Sequence, residues 1–349
     1  MDTHINLKVV KLLKETHDSI TLELVEKDGK KIHFTPGQFL TFIYNIAGEE
    51  IRRGYSISSS PEFLPKLRVT IKKVADGFVS DHIFDTLKEG EIINAVPPLG
   101  NFTVHPPTRK ERDLVFFGAG SGITPLTSMI EYTLKNDPLA KIYLYYGNRN
   151  ADSIIYKTLF EKLSKQYPEN FFVHHILSQP NENWDGTKGR ITKELTSEIL
   201  KENFSDSKEI SDFYLCGPSE MMKNIIEALK EFGINKNRIH REIYTTTVVD
   251  QDEEYEDIPR DVTIIFKDEE HKLTVNPGTS ILRTALNAGL DLPNSCQYGN
   301  CSTCRAKLLS GQLKLIDQTA LSDEELEKGY CLTCVGYPVT DNVVILYED

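Results

Sequence analysis

Cys296-Gln297-Tyr298-Gly299-Asn300-Cys301-Ser302-Thr303-Cys304 decides how this chain is read. The spacing is C-x4-C-x2-C, and 29 residues separate Cys304 from a further cysteine, Cys334. Four thiolates hold either zinc or an iron–sulfur cluster. Structural zinc usually takes its ligands as two short C-x2-C knuckles. One compact loop with a distant fourth cysteine is the spacing of a [2Fe–2S] site, with zinc as the alternative. Three sulfurs must converge from one tight loop, which calls for small residues and backbone N–H groups turned towards sulfur. Gly299, Asn300, Ser302 and Thr303 meet that need. Cys331 complicates the ligand set, because Cys331-x2-Cys334 is itself a possible pair.

The charge is as lopsided as the cysteines. The chain has 349 residues, a length for two or three domains, and a formal net charge of −12. Residues 1–245 are nearly neutral, with 32 basic and 33 acidic side chains. The deficit lies in residues 246–261 (−6) and 262–349 (−5). This balance argues against a nucleic-acid partner, which needs surplus Lys and Arg. No apolar run approaches the ~18 residues that span a membrane, and MDTHINLKVV lacks the features of a signal peptide. A cytoplasmic, non-membrane protein is expected, where clustered cysteines hold metal more often than disulfides.

Four segments follow from texture. Residues 1–106 read as short strands, Ile5–Leu12, Ile20–Leu24, Phe39–Tyr44, Leu67–Lys73 and Glu91–Val96. Pro36-Gly37, Asp76-Gly77 and Pro97-Pro98 punctuate them, and one helix is expected near Val79–Leu87. This pattern predicts an antiparallel β-barrel. Residues 107–245 alternate strand and helix, with apolar runs Asp113–Phe117, Lys141–Tyr146, Phe171–Leu177 and Asp212–Leu215. They predict an α/β domain with a parallel sheet, and Gly233 ends the helix Met221–Phe232. Residues 246–261 form an acidic linker, with six acids among Asp250–Asp257, expected to be extended and mobile. Residues 262–349 open with the hairpin Val262–Phe266 and His271–Val275, then a helix capped by Thr279 and ended by Gly289.

Two further stretches carry chemistry. In Arg53-Gly54-Tyr55-Ser56, placed between two strand-like segments, arginine suits a diphosphate because its fork binds two oxygens. Tyrosine stacks on a flavin ring, and serine hydrogen-bonds a ring nitrogen. The tetrapeptide alone is weak evidence. Gly118-Ala119-Gly120-Ser121-Gly122-Ile123-Thr124-Pro125 follows an apolar run and opens a helix. Glycines there let backbone approach a diphosphate, with Thr124 read as N-cap and Pro125 as the first helical residue. The proline ending departs from G-x-G-x-x-G, and no ribose-binding acid stands at the usual distance.

Taken together, these stretches resemble the ferredoxin–NADP reductase superfamily joined to a plant-type ferredoxin, the arrangement of multicomponent oxygenase reductases. The resemblance covers essentially the whole chain. Arg53–Ser56 matches the R-x-Y-S signature, preceded by Pro36-Gly37-Gln38-Phe39 and followed by Pro98-Leu99-Gly100-Asn101-Phe102. Gly77-Phe78-Val79-Ser80 resembles the helix start that receives the flavin diphosphate. FAD is implied over FMN, because an arginine and a helix start both await a diphosphate. The turn from Gly118 to Pro125 resembles the nicotinamide loop, and Cys216-Gly217-Pro218 the segment beside the nicotinamide. Arg149, with Arg190 after Gly189, implies NADPH, with NADH as the alternative. Glu242 and Tyr244 resemble the E-x-aromatic close near the flavin. Ser56, Cys216 and Glu242 are thus the candidate catalytic residues, with no catalytic base required.

Gly329–Cys334 resembles the closing segment of a plant-type ferredoxin, where an apolar residue stands at the place of Cys331. That implies Cys296, Cys301, Cys304 and Cys334 as ligands in an α+β β-grasp domain. The implied activity passes electrons from NAD(P)H through FAD and [2Fe–2S] to a protein acceptor with a basic docking patch. A non-catalytic electron carrier and a zinc-stabilised module are the alternatives from other classes.

Overall fold

The computed structural model describes residues 4–46, 48–74, 77–104, 106–107, 110–242, 258–316, 318 and 320–348. The chain forms two compact units, residues 1–244 and 245–349. Asp76, Tyr244 and the linker up to residue 257 lie outside the described residues. No described helix is long and apolar enough to cross a membrane.

The first unit opens with β1 (Ile5–Thr16), β2 (Ser19–Glu26), β3 (Phe39–Ile46), β4 (Glu49–Ser56), β5 (Lys66–Lys72), α1 (Phe78–Thr86) and β6 (Ile92–Leu99). They form an antiparallel sheet ordered β4-β3-β6-β1-β2-β5. A bridge between Ile57 and Val69 links its two ends. Alternate residues such as Leu22, Leu24, Leu40, Phe42, Leu67, Val69 and Ile71 fill the interior. The expected strands and helix are present. One correction concerns Arg53–Ser56, which lies within β4 rather than between strands. Arg52-Arg53-Gly54 interrupts the apolar alternation that marks a strand, and β4 tolerates this because among the described residues only β3 pairs along its length.

A parallel sheet follows: β7 (Arg112–Ala119), α2 (Ile123–Asn136), β8 (Ala140–Asn148), α3 (Lys157–Gln166), β9 (Phe171–Leu177), β10 (Thr187–Lys188), α4 (Lys193–Asn203), β11 (Ser211–Cys216), α5 (Ser219–Phe232) and β12 (Ile239–Glu242). Strand order is β10-β9-β8-β7-β11-β12, so the direction of strand addition reverses beside β7. Strand β7 is covered on both faces. Leu114 and Phe116 pack with α2 and α3, and Val115 and Phe117 pack with α4 and α5. This is why its sequence reads as an unbroken apolar run. Gly233 closes α5 with φ 88°. Thr124 is not the N-cap of α2. Gly122 holds that place, and the Thr124 hydroxyl donates to Ser121 O inside the first turn. Pro125 fits at the third helical position because first-turn N–H groups have no helical acceptor.

A polar seam joins barrel to sheet. Ser128 Oγ donates to Ser59 O at 2.7 Å, and Asn136 Nδ2 donates to Glu62 Oε1 at 2.8 Å. The buried Tyr156 hydroxyl bonds the Thr70 hydroxyl on β5. That chain continues to Thr21 at 2.6 Å and to Glu15 at 2.8 Å. Such directional bonds fix relative placement where apolar packing alone would allow sliding.

The second unit contains β13 (Arg260–Phe266), β14 (Glu269–Val275), α6 (Ile281–Asn287), β15 (Arg305–Ser310), β16 (Leu313–Leu315), α7 (Asp323–Glu327), β17 (Tyr330–Leu332), β18 (Gly336–Pro338) and β19 (Val343–Leu346). Its main sheet runs β14-β13-β19-β15-β17, with β13 and β19 parallel. Helix α6 presses Ile281, Leu282 and Ala285 into the same core as Val262, Ile264, Val343 and Ile345. This is the expected β-grasp arrangement. Lys267 and Asp268, both at positive φ, turn the first hairpin. Ser280, not Thr279, caps α6, accepting from Arg283 N at 3.3 Å. The helix starts one residue later than the sequence reading placed it.

Candidate flavin, nicotinamide and cluster sites

The barrel edge presents the first constellation. β4 pairs with β3 so that Phe39 faces Ser56, Leu40 faces Tyr55 and Phe42 faces Arg53. The Tyr55 ring lies 5.2 Å from that of Phe42, tilted by 50°. Arg53 is exposed, and its Nη1 donates to Arg52 O at 2.7 Å. Gly77 caps α1. Ser80 Oγ accepts from Val74 N and donates to Gly77 O, each at 3.1 Å, so this hydroxyl shapes the turn that starts the helix. Val79 is buried in the barrel core.

The parallel sheet offers the second. Register sets Cys216 beside Gly118 on one side and beside Glu242 on the other. These are the carboxyl ends of β7, β11 and β12, at the crevice where open α/β sheets bind ligands. The turn Gly120–Gly122 folds against this edge. A Cβ on Gly122 would stand 2.1 Å from Cys216 O, so backbone meets backbone there. Tyr146 Oη donates to Gly120 O at 2.9 Å. Gly217 is also confined, because a Cβ would stand 2.6 Å from Met221 Cε. Pro218 and Ser121 flank this crevice in sequence.

The two constellations meet. Ser56 Oγ donates to Glu242 Oε2 at 3.4 Å across 186 residues of chain. Both residues are 3% exposed. The flavin-motif serine and the last acid of the sheet thus share one buried junction.

Arg149 and Arg190 stand at the far end of the same edge. Asn148 pairs with Leu177, and Leu177 with Lys188, so Arg149, Ser178 and Arg190 follow these three strand ends. Both arginines are exposed. Sequence reading missed Lys72. Its Nζ comes within 4.0 Å of the Cβ position at Gly120, which places a barrel cation against the Gly120–Gly122 turn. A lone lysine on a strand carries no motif, and only the seam brings it there.

In the second unit, the four expected cysteines are buried and form two pairs. Cys296 hydrogen-bonds Cys301, and Cys304 hydrogen-bonds Cys334. The bond from Cys296 pulls the Cys301 thiol down to about 6 and pushes Cys296 up. The bond from Cys334 likewise lowers Cys304. Backbone N–H groups surround the sulfurs. Tyr298 and Asn300 donate to Cys296 Sγ at 3.3 and 3.4 Å. Gly299 donates to Cys334 Sγ at 3.3 Å, and Cys296 to Cys301 Sγ at 3.5 Å. Among the described residues no three His, Cys, Asp or Glu side chains gather as a single metal ion requires. Two thiol pairs wrapped in N–H donors fit a [2Fe–2S] cluster, which Cys296, Cys301, Cys304 and Cys334 would hold. Cys331 stands apart. Its Sγ donates to Ala306 O at 3.4 Å, and burial pushes its thiol up to about 12.

Comparison with known proteins agrees with this geometry. Residues 6–104 match the oxidoreductase FAD-binding domain, residues 116–227 the oxidoreductase NAD-binding domain, and residues 264–339 the 2Fe-2S iron-sulfur cluster binding domain. The chain belongs to the NAD(P)H-dependent, flavin- and [2Fe–2S]-containing reductase components of oxygenase systems. It is 31% identical to a subunit of the 1,2-phenylacetyl-CoA epoxidase of Escherichia coli, over 100% of this chain and 99% of that one. It is 30% identical to the ferredoxin reductase component of 3-ketosteroid-9-alpha-monooxygenase from Rhodococcus rhodochrous, over 97% and 95%. Phthalate dioxygenase reductase shares the fold, with a TM-score of 0.66 at 21% identity over 99% of this chain and 98% of that one.

Proposed function

We propose that this protein draws electrons from NADPH and delivers them, through FAD and a [2Fe–2S] cluster, to a phenylacetyl-CoA epoxidase-type di-iron monooxygenase. The Ser56–Glu242 junction carries the first half of this reading, because it joins the flavin motif to the nicotinamide edge. Full-length similarity to the epoxidase component supports the acceptor. The domains would be residues 1–106 for FAD, 107–245 for the dinucleotide, 246–261 as linker and 262–349 for the cluster. When bound, a flavin takes hydride as an electron pair and releases it singly to the cluster.

The residues divide the remaining work. Arg53 and the α1 start, Gly77 to Ser80, hold the FAD diphosphate. Tyr55 stacks on its ring, and Ser56 hydrogen-bonds a ring nitrogen by turning its hydroxyl proton from Glu242. The turn from Gly118 to Thr124 receives the dinucleotide diphosphate with help from Lys72. Cys216, Gly217 and Pro218 wall the nicotinamide. Arg149, with Arg190, binds a ribose 2′-phosphate. Cys296, Cys301, Cys304 and Cys334 ligate the cluster. The acidic cluster domain meets a basic patch on the acceptor.

Purified holoprotein tests this reading. A yellow-brown chromophore bleached by NADPH supports it, and a colourless protein with one zinc overturns it. Adding a purified epoxidase-type di-iron component should then give NADPH-dependent oxygenation. A second reading keeps the electron path and replaces the acceptor by a steroid- or ring-hydroxylating oxygenase. Similar identity to the Rhodococcus component supports that version, and turnover with each acceptor separates the two.

A further inference from the structure

Behind the second cysteine pair lies a hydroxyl relay that no motif records. Thr333 is 0% exposed and Tyr347 5%. Thr333 Oγ1 donates to Cys304 O at 3.2 Å, and Tyr347 Oη lies 2.6 Å from that Oγ1. A carbonyl only accepts, so the single Thr333 hydroxyl proton is committed to Cys304. Tyr347 must therefore be the donor in the outer bond. The relay runs one way, from Tyr347 O–H to Thr333 O–H to the Cys304 carbonyl. The same carbonyl accepts Thr333 N at 3.3 Å, and Thr333 O accepts Leu282 N at 3.0 Å. Every polar atom of Thr333 is thus engaged between Cys304 and Cys334. Tyr347 is anchored in turn, with its N–H on Ile265 O at 2.9 Å and its ring 5.7 Å from Phe266.

Both hydroxyl dipoles turn their positive ends towards the backbone that carries Cys304. Reduction adds one negative charge to a cluster, and fixed dipoles of this sense favour it strongly where water is excluded. Hydrogen bonding around the ligands is among the levers that set cluster potentials. We propose that Tyr347 is a positioning residue for the cluster, acting through Thr333 to raise its reduction potential. The proposal rests on reading Cys304 and Cys334 as ligands, and its test is separate from theirs.

The experiment is an EPR-monitored redox titration of full-length holoprotein. Tyr347→Phe should keep the visible absorption while the reduced-to-oxidised ratio at fixed potential falls about threefold, ~30 mV for one electron. Thr333→Val should lower the ratio further, about tenfold or ~59 mV. Adding Tyr347→Phe to Thr333→Val should change nothing more, and Thr333→Ser should restore the wild-type value. An unchanged potential in Tyr347→Phe overturns the proposal, even where the thermal midpoint falls. If Tyr347→Phe does not retain a cluster, equal potentials in Thr333→Val and Thr333→Ser overturn it. Loss of the ligand reading shows differently, as a cluster that survives Cys304→Ser.

Discussion

The cluster loop and the flavin–nicotinamide junction are built in opposite ways. Cys296, Cys301 and Cys304 converge because they are neighbours in the chain, and N–H groups of their loop reach the sulfurs of Cys296, Cys301 and Cys334. Ser56 and Glu242 converge because a barrel and a sheet are docked along a polar seam. The first site is a local property of a sequence, and the second is a property of an assembly. Damage to the first should therefore abolish one centre cleanly, whereas damage to the second should be graded and spread over several residues.

The sharpest way to break this contrast is Cys304→Ser. The cluster absorption should vanish and turnover with the oxygenase fall by at least about a hundredfold, since one ligand in four is lost. Flavin reduction by NADPH, followed by stopped flow, should continue. Loss of both together would mean that the two sites are not independent. At the junction, Glu242→Gln should slow flavin reduction by about tenfold with little change in dinucleotide affinity, the effect of misplacing a group at a reacting centre. A change in KM alone would assign Glu242 to binding.

What could be read in advance follows the same division. Spacing exposed three thiols because they share one loop, and the resemblance of Gly329–Cys334 to a ferredoxin's closing segment added the fourth, which lies in the turn after β17. The R-x-Y-S strand escaped notice because Arg52, Arg53 and Gly54 sit at a sheet edge, where apolar alternation is not required. Helix α3 was equally silent, because it buries only Phe160 and Leu163 and is otherwise half-buried or exposed. The caps at Gly122 and Ser280 differ from the expected Thr124 and Thr279 by one or two residues. Thr279 and Ser280 have similar capping preferences and the Ser280 hydroxyl makes the bond, whereas Gly122 caps α2 with no side-chain bond at all. Lys72 and Tyr156 were invisible, since only the docked seam gives a strand lysine and a buried phenol their roles.

Smaller effects sharpen the picture further. Arg149→Ala should raise the KM for NADPH about tenfold and leave that for NADH nearly unchanged, the loss of one charge-assisted contact. Equal effects on both would remove Arg149 from the 2′-phosphate. Cys331→Ser should leave the visible spectrum intact, because its Sγ is engaged by Ala306 O and belongs to neither cysteine pair. The cost should be about 1 kcal/mol of stability, read from thermal melts. Raising ionic strength should do least, slowing transfer to the oxygenase severalfold while reduction of a small neutral dye holds steady.

The bond between Ser56 and Glu242 also sets an order of events during synthesis. A ribosome making this protein extends the chain by 186 residues after Ser56 before the glutamate exists. Until then the barrel can fold, but the carboxylate that accepts from Ser56 is missing. The cysteine loop, made later, needs only the 38 steps from Cys296 to Cys334. Contacts between distant segments form late and slowly compared with local ones. The Ser56–Glu242 junction, begun first, is therefore among the last parts of its unit to close, and a chain released before residue 242 has a barrel whose Ser56 lacks this carboxylate.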